Sequence, residues 1–196
     1  MNTTYDWWLD MSDMEFYAWY DKIFSDDELD LIEGLFEDPE LKLGQIQHKN
    51  ITSTDIRNSN VKFIESSNEA NMWLFQRLTG IINAANEKFF RFELNRIETL
   101  QYTVYNTGQF YKDHIDLGYT NPNQSVRKLS FTLQLTDPSK YKGGDLLLKH
   151  GSEPEIAKRE RGTITFFPSY ILHEVTPVTE GVRKSLVGWV TGPRWR

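Results

Sequence analysis

A series of short apolar segments in the second half of the chain constrains its fold more than any other sequence feature. After Phe90, segments rich in aromatic and β-branched residues alternate with turn signals such as Asn121-Pro122-Asn123 and Gly143-Gly144. Short strands at this spacing are typical of a β-sandwich or a jelly roll. The predicted strands cover residues 92–105, 110–116, 128–136, 144–149, 162–167, 173–175 and 183–190. We therefore predict a mainly β chain of the α+β class.

The first ninety residues are predicted to support this β-region with two helices. Ser25 and Glu28 form a capping-box pattern, which predicts a helix that ends near Phe36. A second helix is predicted over residues 68–89, where apolar side chains recur on one face. That face carries Trp73, Leu74, Leu78, Ile81, Ile82 and Ala85. Both helices are expected to pack on one outer face of the jelly roll.

The remaining N-terminal segments are predicted from their polarity and alternation. Residues 1–24 are aromatic and acidic without a clear period, which predicts an irregular lead-in that packs on the domain. Strands are predicted at 41–47 and 61–64, and a polar loop is predicted at 50–60. The chain is thus divided into residues 1–90, which hold helical support and flanking strands, and residues 91–196, which form the jelly-roll core.

Length and composition limit what this chain can be. Its 196 residues favour a single domain with a sizeable core. The formal net charge of −6 argues against nucleic acid as the main partner, and the absence of cysteines excludes disulfides and thiolate metal sites. The N-terminus lacks a signal-peptide pattern, and no segment reaches the roughly 18 apolar residues of a membrane span. These features predict a cytoplasmic protein, in the host cytoplasm if a phage encodes it.

Two side chains on one predicted strand, His114 and Asp116, can bind the same metal ion. Residues two apart on a strand point to the same face of the sheet. A second imidazole comes from His173, which follows another apolar strand and the turn at Pro168. Two histidines and one carboxylate form the facial triad of non-heme Fe(II) oxygenases, which leaves positions open for a co-substrate and O₂. The spacing therefore predicts an iron site.

A cation for the co-substrate is predicted ten residues after His173. Arg183 begins the last predicted strand, and Ser185 shares its face. A guanidinium and a hydroxyl placed in this way can bind one carboxylate together. This pair extends the predicted site from metal binding to the binding of an anionic co-substrate.

The structural alternative to a metal site must be considered for each histidine. A His-x-Asp pair alone indicates little, because a buried histidine beside an aspartate is usually structural. His48 and His150 lie in predicted polar turns and are expected to be solvated. The site prediction depends on the combined order and spacing of His114, Asp116, His173 and Arg183.

These residues lie in motifs that resemble a known family, the 2-oxoglutarate and Fe(II)-dependent dioxygenases. Its first metal motif is similar to Tyr102-x-x-Tyr105-x-x-Gly108-x-x-Tyr111-x-x-His114-x-Asp116. Its middle strands resemble residues 127–135 and the turn Tyr141-Lys-Gly143-Gly144-Asp145-Leu146. The prolyl 4-hydroxylase branch, especially its bacterial and phage members, is similar to Phe167-Pro168-Ser169, His173-Glu-Val-Thr-Pro177 and Gly181-Val-Arg183-Lys-Ser185. The resemblance covers about residues 102–189.

The resemblance implies a double-stranded β-helix with iron at its open end. His114, Asp116 and His173 would bind Fe(II), with O₂ as the oxidant and ascorbate as a reductant. Arg183 would bind the distal carboxylate of 2-oxoglutarate, with help from Tyr105 and Ser185.

The resemblance also implies residues for the primary substrate. Tyr111 and Trp189 match aromatics that line a prolyl pocket, and a neutral pyrrolidine ring packs well on aromatic faces. Arg127 matches an arginine near the substrate entrance. Gln134 departs from the pattern, because some oxygen-sensing relatives have a tyrosine there that contacts 2-oxoglutarate. Residues 117–126 are expected to form a mobile loop that closes over a peptide.

The function implied is hydroxylation of a C–H bond, with release of succinate and CO₂. The expected reaction is prolyl 4-hydroxylation of a peptide or protein that contains proline. The alternatives are hydroxylation of another side chain, a free amino acid or a small molecule, oxidation of RNA or a nucleobase, and a metal-binding jelly roll without turnover. Arg183 argues against the last alternative, because a simple metal site has no need of a carboxylate-binding cation.

Overall fold

The computed structural model describes residues 15–35, 42–43, 54–118 and 125–195. Within them, helices α1 (Asp26–Gly34) and α2 (Met72–Ala85) accompany fourteen strands. The strands are β1 (Ala18–Tyr20), β2 (Lys42–Leu43), β3 (Arg57–Asn58), β4 (Asn60–Ile64), β5 (Arg96–Ile97), β6 (Leu100–Asn106), β7 (Phe110–His114), β8 (Val126–Gln134), β9 (Tyr141–Gly143), β10 (Leu146–Lys149), β11 (Glu155–Ile156), β12 (Ile164–Pro168), β13 (Leu172–Val175) and β14 (Val178–Gly192). None of the described helices is long and apolar enough to span a bilayer.

The strands form two antiparallel sheets that confirm the predicted jelly roll. The larger sheet has the order β1-β12-β8-β14-β6-β4-β2, and β5 and β9 also pair with β14. The smaller sheet has the order β11-β10-β13-β7-β3. Strand β14 lies between β6 and β8 and pairs with both along most of its length. Side chains from the two sheets pack together in a small apolar cluster that includes Tyr105, Leu148 and Phe167.

Alternation along the strands of the larger sheet gives it an apolar outer face. Phe131 and Leu133 of β8 and Phe166 of β12 are fully buried there against residues of α1 and α2 such as Leu29 and Leu78. Because successive side chains of a strand point to opposite faces, the residues between them point into the space between the sheets. The helices thus pack on one outer face, as predicted.

The two predicted helices are both present, with changes at their ends. The Ser25 side chain accepts from the Glu28 amide, and the Glu28 carboxylate accepts from the Ser25 amide, which confirms the capping box. Helix α1 ends at Gly34, and Phe36 lies outside the described residues. The segment predicted as one helix over 68–89 is a 3₁₀ turn, helix α2 and a final π-helical turn (Asn86–Phe90).

Several strand predictions were wrong at the sheet edges. β1 lies within the predicted irregular lead-in and pairs with β12, and β3 lies within the predicted polar loop and pairs with β7. The strand predicted over 92–105 is divided into β5 and β6, and β9 and β11 were not predicted. Edge pairing depends on which strand lies nearby, so the local pattern of polarity does not determine it. The strand predicted over 41–47 lies within the described residues only at Lys42–Leu43.

Candidate metal centre

The three predicted metal ligands meet where the smaller sheet faces the larger one. Strand β13 pairs with β7, and His173 lies directly opposite His114 in this register. Asp116 lies two residues beyond the end of β7, so the prediction that it is part of the strand was wrong. Its backbone N–H donates instead to the carbonyl oxygen of Ser169 at 2.9 Å, in the turn after β12. The smaller sheet and the turn after β12 therefore position the three side chains.

The ligand atoms are close enough to share one ion. Nε2 of His114 is 3.8 Å from Oδ1 of Asp116, and Nε2 of His173 is 3.4 Å from Oδ2. The three ligand atoms lie within 4.8 Å of one another. Metal–nitrogen and metal–oxygen bonds of about 2.1 Å hold neighbouring ligands about 3 Å apart, so a small inward shift closes the set around an ion.

Hydrogen bonds fix the ring orientation of both histidines. Nδ1 of His114 bonds the carbonyl of Lys112, and Nδ1 of His173 bonds the carbonyl of Ile171, each at 2.8 Å. Nδ1 is therefore the protonated nitrogen, and the Nε2 lone pairs point towards the shared space. Burial, reinforced by His173, lowers the pKa of His114 to about 3, which keeps this ring neutral and ready to bind a metal.

Asp116 is buried but remains ionised. Desolvation opposes its ionisation, and the neighbouring His173 and His114 outweigh it and hold the pKa below the usual value. Two neutral imidazoles and one carboxylate, arranged on one side of a space, are the ligand set of non-heme Fe(II) oxygenases. The donor set therefore fits an Fe(II) ion.

A cavity of about 230 Å³ adjoins the three ligands. Both sheets contribute to its walls, so it lies inside the jelly roll. Besides the three ligands, the wall residues are Arg57, Phe63, Gln101, Tyr105, Tyr111, Arg127, Thr132, Leu146, Phe167, Val175, Val187 and Trp189. Apolar walls with a few polar groups are typical of a site for a small group or side chain.

Arg183 is the largest fully buried side chain in the described part of the protein, at 1% exposure. Its Nη2 donates to Oε1 of Gln134 at 3.1 Å, its Nη1 lies 3.5 Å from Oγ of Ser185, and its guanidinium lies 5.5 Å from the ring centre of Tyr105. Among the described residues, no carboxylate forms an ion pair with Arg183. A buried cation surrounded by neutral groups is costly unless an anion neutralises it. This arrangement is suited to an anionic ligand.

The predicted substrate residues are gathered in the cavity wall. Tyr111 stacks on His114 with ring centres 3.5 Å apart, and burial raises the pKa of its phenol to about 12. The Arg127 guanidinium lies 3.9 Å from the ring centre of Trp189 and forms an ion pair with Glu98 at 2.7 Å. Arg127 therefore braces the Trp189 ring, and its charge is largely neutralised.

Sequence reasoning missed Arg57 and Glu98. Arg57 is 5% exposed, its Nε donates to Ser59, and its guanidinium lies 4.7 Å from the ring centre of Tyr111. Its segment had been predicted as a polar loop, and only the pairing of β3 with β7 brings it into the cavity. Glu98 had no sequence signal, because its role depends on the position of Arg127.

The other sequence predictions for this region have mixed outcomes. His150 does not join the metal cluster, but it is half-buried and stacked on Phe16 at 4.5 Å, so the expectation that it is solvated was wrong. His48 lies outside the described residues, as do residues 119–124 of the proposed mobile loop. The closure of that loop stays a prediction.

Comparison with known sequences finds a family similarity over part of the chain. Residues 100–191 match the 2OG-Fe(II) oxygenase superfamily. A PKHD-type hydroxylase of Rippkaea orientalis is 42% identical over 96 residues, which cover 48% of this chain and 43% of that protein. A second PKHD-type hydroxylase, from Gloeothece citriformis, is 38% identical over 95 residues, with the same coverage of 48% and 43%. The chain thus matches less than half the length of these relatives.

Solved structures show the same fold over nearly the whole chain. A prolyl hydroxylase from Trichoplax adhaerens, in complex with a hypoxia inducible factor peptide fragment, has a TM-score of 0.74 at 18% identity and covers 90% of this chain and 83% of its own. A prolyl-4-hydroxylase from Pseudomonas putida has a TM-score of 0.68 at 20% identity and covers 91% and 94%. At these identities the likeness establishes the architecture alone.

Proposed function

Because residues 100–191 match the 2OG-Fe(II) oxygenase superfamily, we propose that this protein is an Fe(II)- and 2-oxoglutarate-dependent dioxygenase that hydroxylates a peptide or protein. The observation that carries the proposal is the combination of the triad with Arg183. A metal site alone would not require a buried cation that lacks a carboxylate partner among the described residues. A co-substrate with two carboxylates accounts for both features, since one end can bind the metal and the other can bind Arg183.

In this proposal His114, Asp116 and His173 hold Fe(II). When bound, iron with 2-oxoglutarate and O₂ supplies the oxidising power, with succinate and CO₂ as the co-products. The residues of the chain provide the geometry. The bonds of the two Nδ1 atoms to backbone carbonyls keep both Nε2 atoms directed at one point. Phe167 and Leu146 provide apolar walls in the cavity beside the metal ligands, and apolar walls favour a site with little water.

Arg183, Ser185, Gln134 and Tyr105 form the proposed site for the distal carboxylate of 2-oxoglutarate. Arg183 provides the charge, and Ser185 can add a hydroxyl donor on the same strand face. Gln134 accepts from Arg183 through Oε1, so its amide nitrogen is a further donor at the position where some relatives have a tyrosine. Burial raises the pKa of Tyr105, which keeps its phenol a hydrogen-bond donor at neutral pH.

A neutral ring such as that of proline is the proposed target within the substrate. Tyr111 and Trp189 provide flat aromatic walls beside the metal ligands, and the Glu98–Arg127 pair keeps one wall in place. Phe63 lines the same cavity while 56% exposed, so the cavity continues into an apolar surface at its mouth. This continuity suits a side chain presented on a polypeptide. The named activities of the structurally similar prolyl hydroxylases support the same proposal.

The proposal is tested with purified protein, Fe(II), ascorbate, 2-oxoglutarate and a proline-rich peptide, with and without O₂. We expect oxygen-dependent succinate and a peptide mass increase of one oxygen atom. His173→Ala is the control, because it removes one of the three proposed metal ligands. Succinate no higher than in this control would contradict the enzyme proposal. Succinate production without peptide modification would contradict only the prolyl substrate.

A second candidate substrate carries its own carboxylate, such as a free amino acid. The observation in its favour is Arg57, a buried guanidinium that lines the cavity near Tyr111. The same assay with free amino acids in place of peptide distinguishes the candidates. Arg57→Gln should abolish turnover of a free amino acid and leave turnover of a neutral peptide measurable.

A further inference from the structure

Asp116 is the one metal ligand that no strand ladder holds. His114 and His173 lie opposite each other in the β7–β13 pair, whereas Asp116 follows the end of β7. Its backbone N–H donates to the carbonyl oxygen of Ser169, the backbone bond that holds it among the described residues. Its side chain could rotate about this anchor unless other groups hold the carboxylate. The structure contains such groups.

Two buried hydroxyls form a chain behind the carboxylate. Oγ of Ser130 donates to Oδ2 of Asp116 at 2.9 Å, and Oγ of Ser169 lies 2.9 Å from Oγ of Ser130. Ser130 and Ser169 are both fully buried. An ionised carboxylate can only accept, so Ser130 uses its one proton for Asp116 and accepts the proton of Ser169. The direction of both bonds is therefore determined.

The chain of hydroxyls distinguishes the two carboxylate oxygens. Oδ2 accepts from Ser130 and lies 3.4 Å from Nε2 of His173, whereas Oδ1 lies 3.8 Å from Nε2 of His114. We propose that Ser130, supported by Ser169, is a positioning residue that keeps Asp116 in a geometry where Oδ1 alone binds the metal. This inference rests on the proposed metal centre.

The proposed role has a consequence for the open coordination positions. A carboxylate can bind a metal through one oxygen or through both. An octahedral ion with three protein ligand atoms keeps three positions, which suffice for a bidentate co-substrate and one further ligand. A bidentate Asp116 would occupy one of these positions. By holding Oδ2, Ser130 preserves the open face that the proposed reaction needs.

Thr165 of β12 offers a matched control for the loss of a buried hydroxyl. It is fully buried, and its Oγ1 has no hydrogen bond within the described part of the protein. It lies opposite Thr132 in the β8–β12 register and outside the cavity wall. Thr165→Val therefore removes a hydroxyl from the same layer of the fold without touching Asp116.

The experiment measures Co(II) binding to the metal-free protein, by titration calorimetry and by the visible absorption of bound Co(II). We expect Ser130→Ala to weaken binding about 10-fold or more and to change the Co(II) spectrum, because partners of ligating groups typically contribute 10- to 100-fold. Ser130→Thr, which keeps the hydroxyl, should restore both. Ser169→Ala should have a smaller effect of the same kind, and Thr165→Val should have none.

The outcomes separate this inference from the proposed function. If the unaltered protein binds no Co(II), the metal centre itself is wrong, and the role of Ser130 fails with it. If the unaltered protein binds Co(II) and Ser130→Ala binds it equally well with the same spectrum, the metal centre stands and the role of Ser130 is overturned. An equal loss in Thr165→Val would also overturn it, since the effect would then come from the fold. If Ser130→Ala does not fold, Ser130→Thr and Ser169→Ala are measured in its place. Binding by Ser169→Ala equal to that of the unaltered protein, with the same spectrum, would then overturn the role of Ser130.

Discussion

The two faces of strand β8 have different roles in the protein. The face towards the helices carries Leu129, Phe131 and Leu133. The face towards the smaller sheet carries Ser130, Thr132 and Gln134. All six side chains are at most 5% exposed, so burial does not distinguish the faces. Chemistry distinguishes them, because the first face fills a core and the second binds Asp116, lines the cavity and holds Arg183.

The difference teaches that this sheet is buried on both sides for different reasons. The outer face excludes water by close packing, where any lost volume costs stability. The inner face excludes water around polar groups, and those groups are suited to ligands. Substitutions on the outer face should therefore change stability, and substitutions on the inner face should change binding.

The largest expected effect is on the outer face, from Phe131→Ala. The side chain is fully buried and lies 6.0 Å from the Phe166 ring, so its removal leaves a cavity that rigid neighbours cannot fill. We expect the free energy of unfolding to fall by about 3–5 kcal/mol. Urea denaturation followed by far-UV circular dichroism measures this. A loss below about 1 kcal/mol would show that the outer face is not a packed core.

The next effect is on the inner face, from Arg183→Met. Methionine keeps an apolar stem and removes the charge, so the affinity for 2-oxoglutarate should fall by about 2–5 kcal/mol. The free energy of unfolding without ligand should stay within about 1 kcal/mol of the unaltered protein, because a buried charge without a carboxylate partner is lost. Anaerobic calorimetry with 2-oxoglutarate measures the first quantity. Leu133→Val, on the outer face, is the control and should leave this affinity unchanged.

A smaller effect is expected at Gly188 of β14, which lies opposite Phe131 in the β8–β14 pair. A Cβ added at Gly188 would lie 2.3 Å from Cζ of Phe131, so Gly188→Ala should cost about 1–3 kcal/mol of stability. Gly80, within α2, has open space around an added Cβ, so Gly80→Ala should raise stability by about 0.5–1 kcal/mol. Thermal unfolding of the two variants should give shifts of opposite sign. Equal shifts would mean that close packing at β14 is not the cause.

The smallest effect is expected away from both faces, at the start of α1. Ser25→Ala removes the hydroxyl that accepts from the Glu28 amide and should cost about 1 kcal/mol. The loss is small because Arg161, in the turn before β12, also holds α1 in place through ion pairs with Asp26, Asp30 and Glu33. Chemical denaturation at neutral pH is the measurement. A loss of unfolding free energy as large as that of Phe131→Ala would contradict this expectation, because packing of the core would then depend on the N-terminus of α1.

The capping carboxylate also predicts a pH dependence. The Ser25 amide, together with Arg77, holds the pKa of Glu28 below its usual 4.5, so the charged form is favoured in the folded protein. Its contribution is present above pH 4.5 and is lost as the pH falls through the lowered pKa. Glu28→Gln should therefore be less stable than the unaltered protein at pH 7, and the difference should shrink at acid pH. A difference that is constant with pH would contradict this cause.

Much of this protein is determined by patterns that are local in the sequence. The capping box at Ser25, the apolar stripe of α2 and the alternation of β8 each follow from nearby residues. The order of His114, Asp116, His173 and Arg183 was enough to predict a site, because two-residue spacing on a strand and a later histidine restrict the possible geometries. The metal triad and its nearby cation were thus predicted from chemistry and spacing, whereas Tyr105, Tyr111, Arg127 and Trp189 were predicted from the family resemblance.

Only the tertiary structure decided the features that depend on distant pairing. Arg57 reaches the cavity because β3 pairs with β7, and Glu98 has a role because Arg127 lies beside Trp189. Asp116 is held by Ser169 and Ser130, which are 53 and 14 residues away along the chain. A sequence pattern records which face a residue occupies. It does not record which residue of another strand lies opposite, because register is set by the packing of the whole sheet.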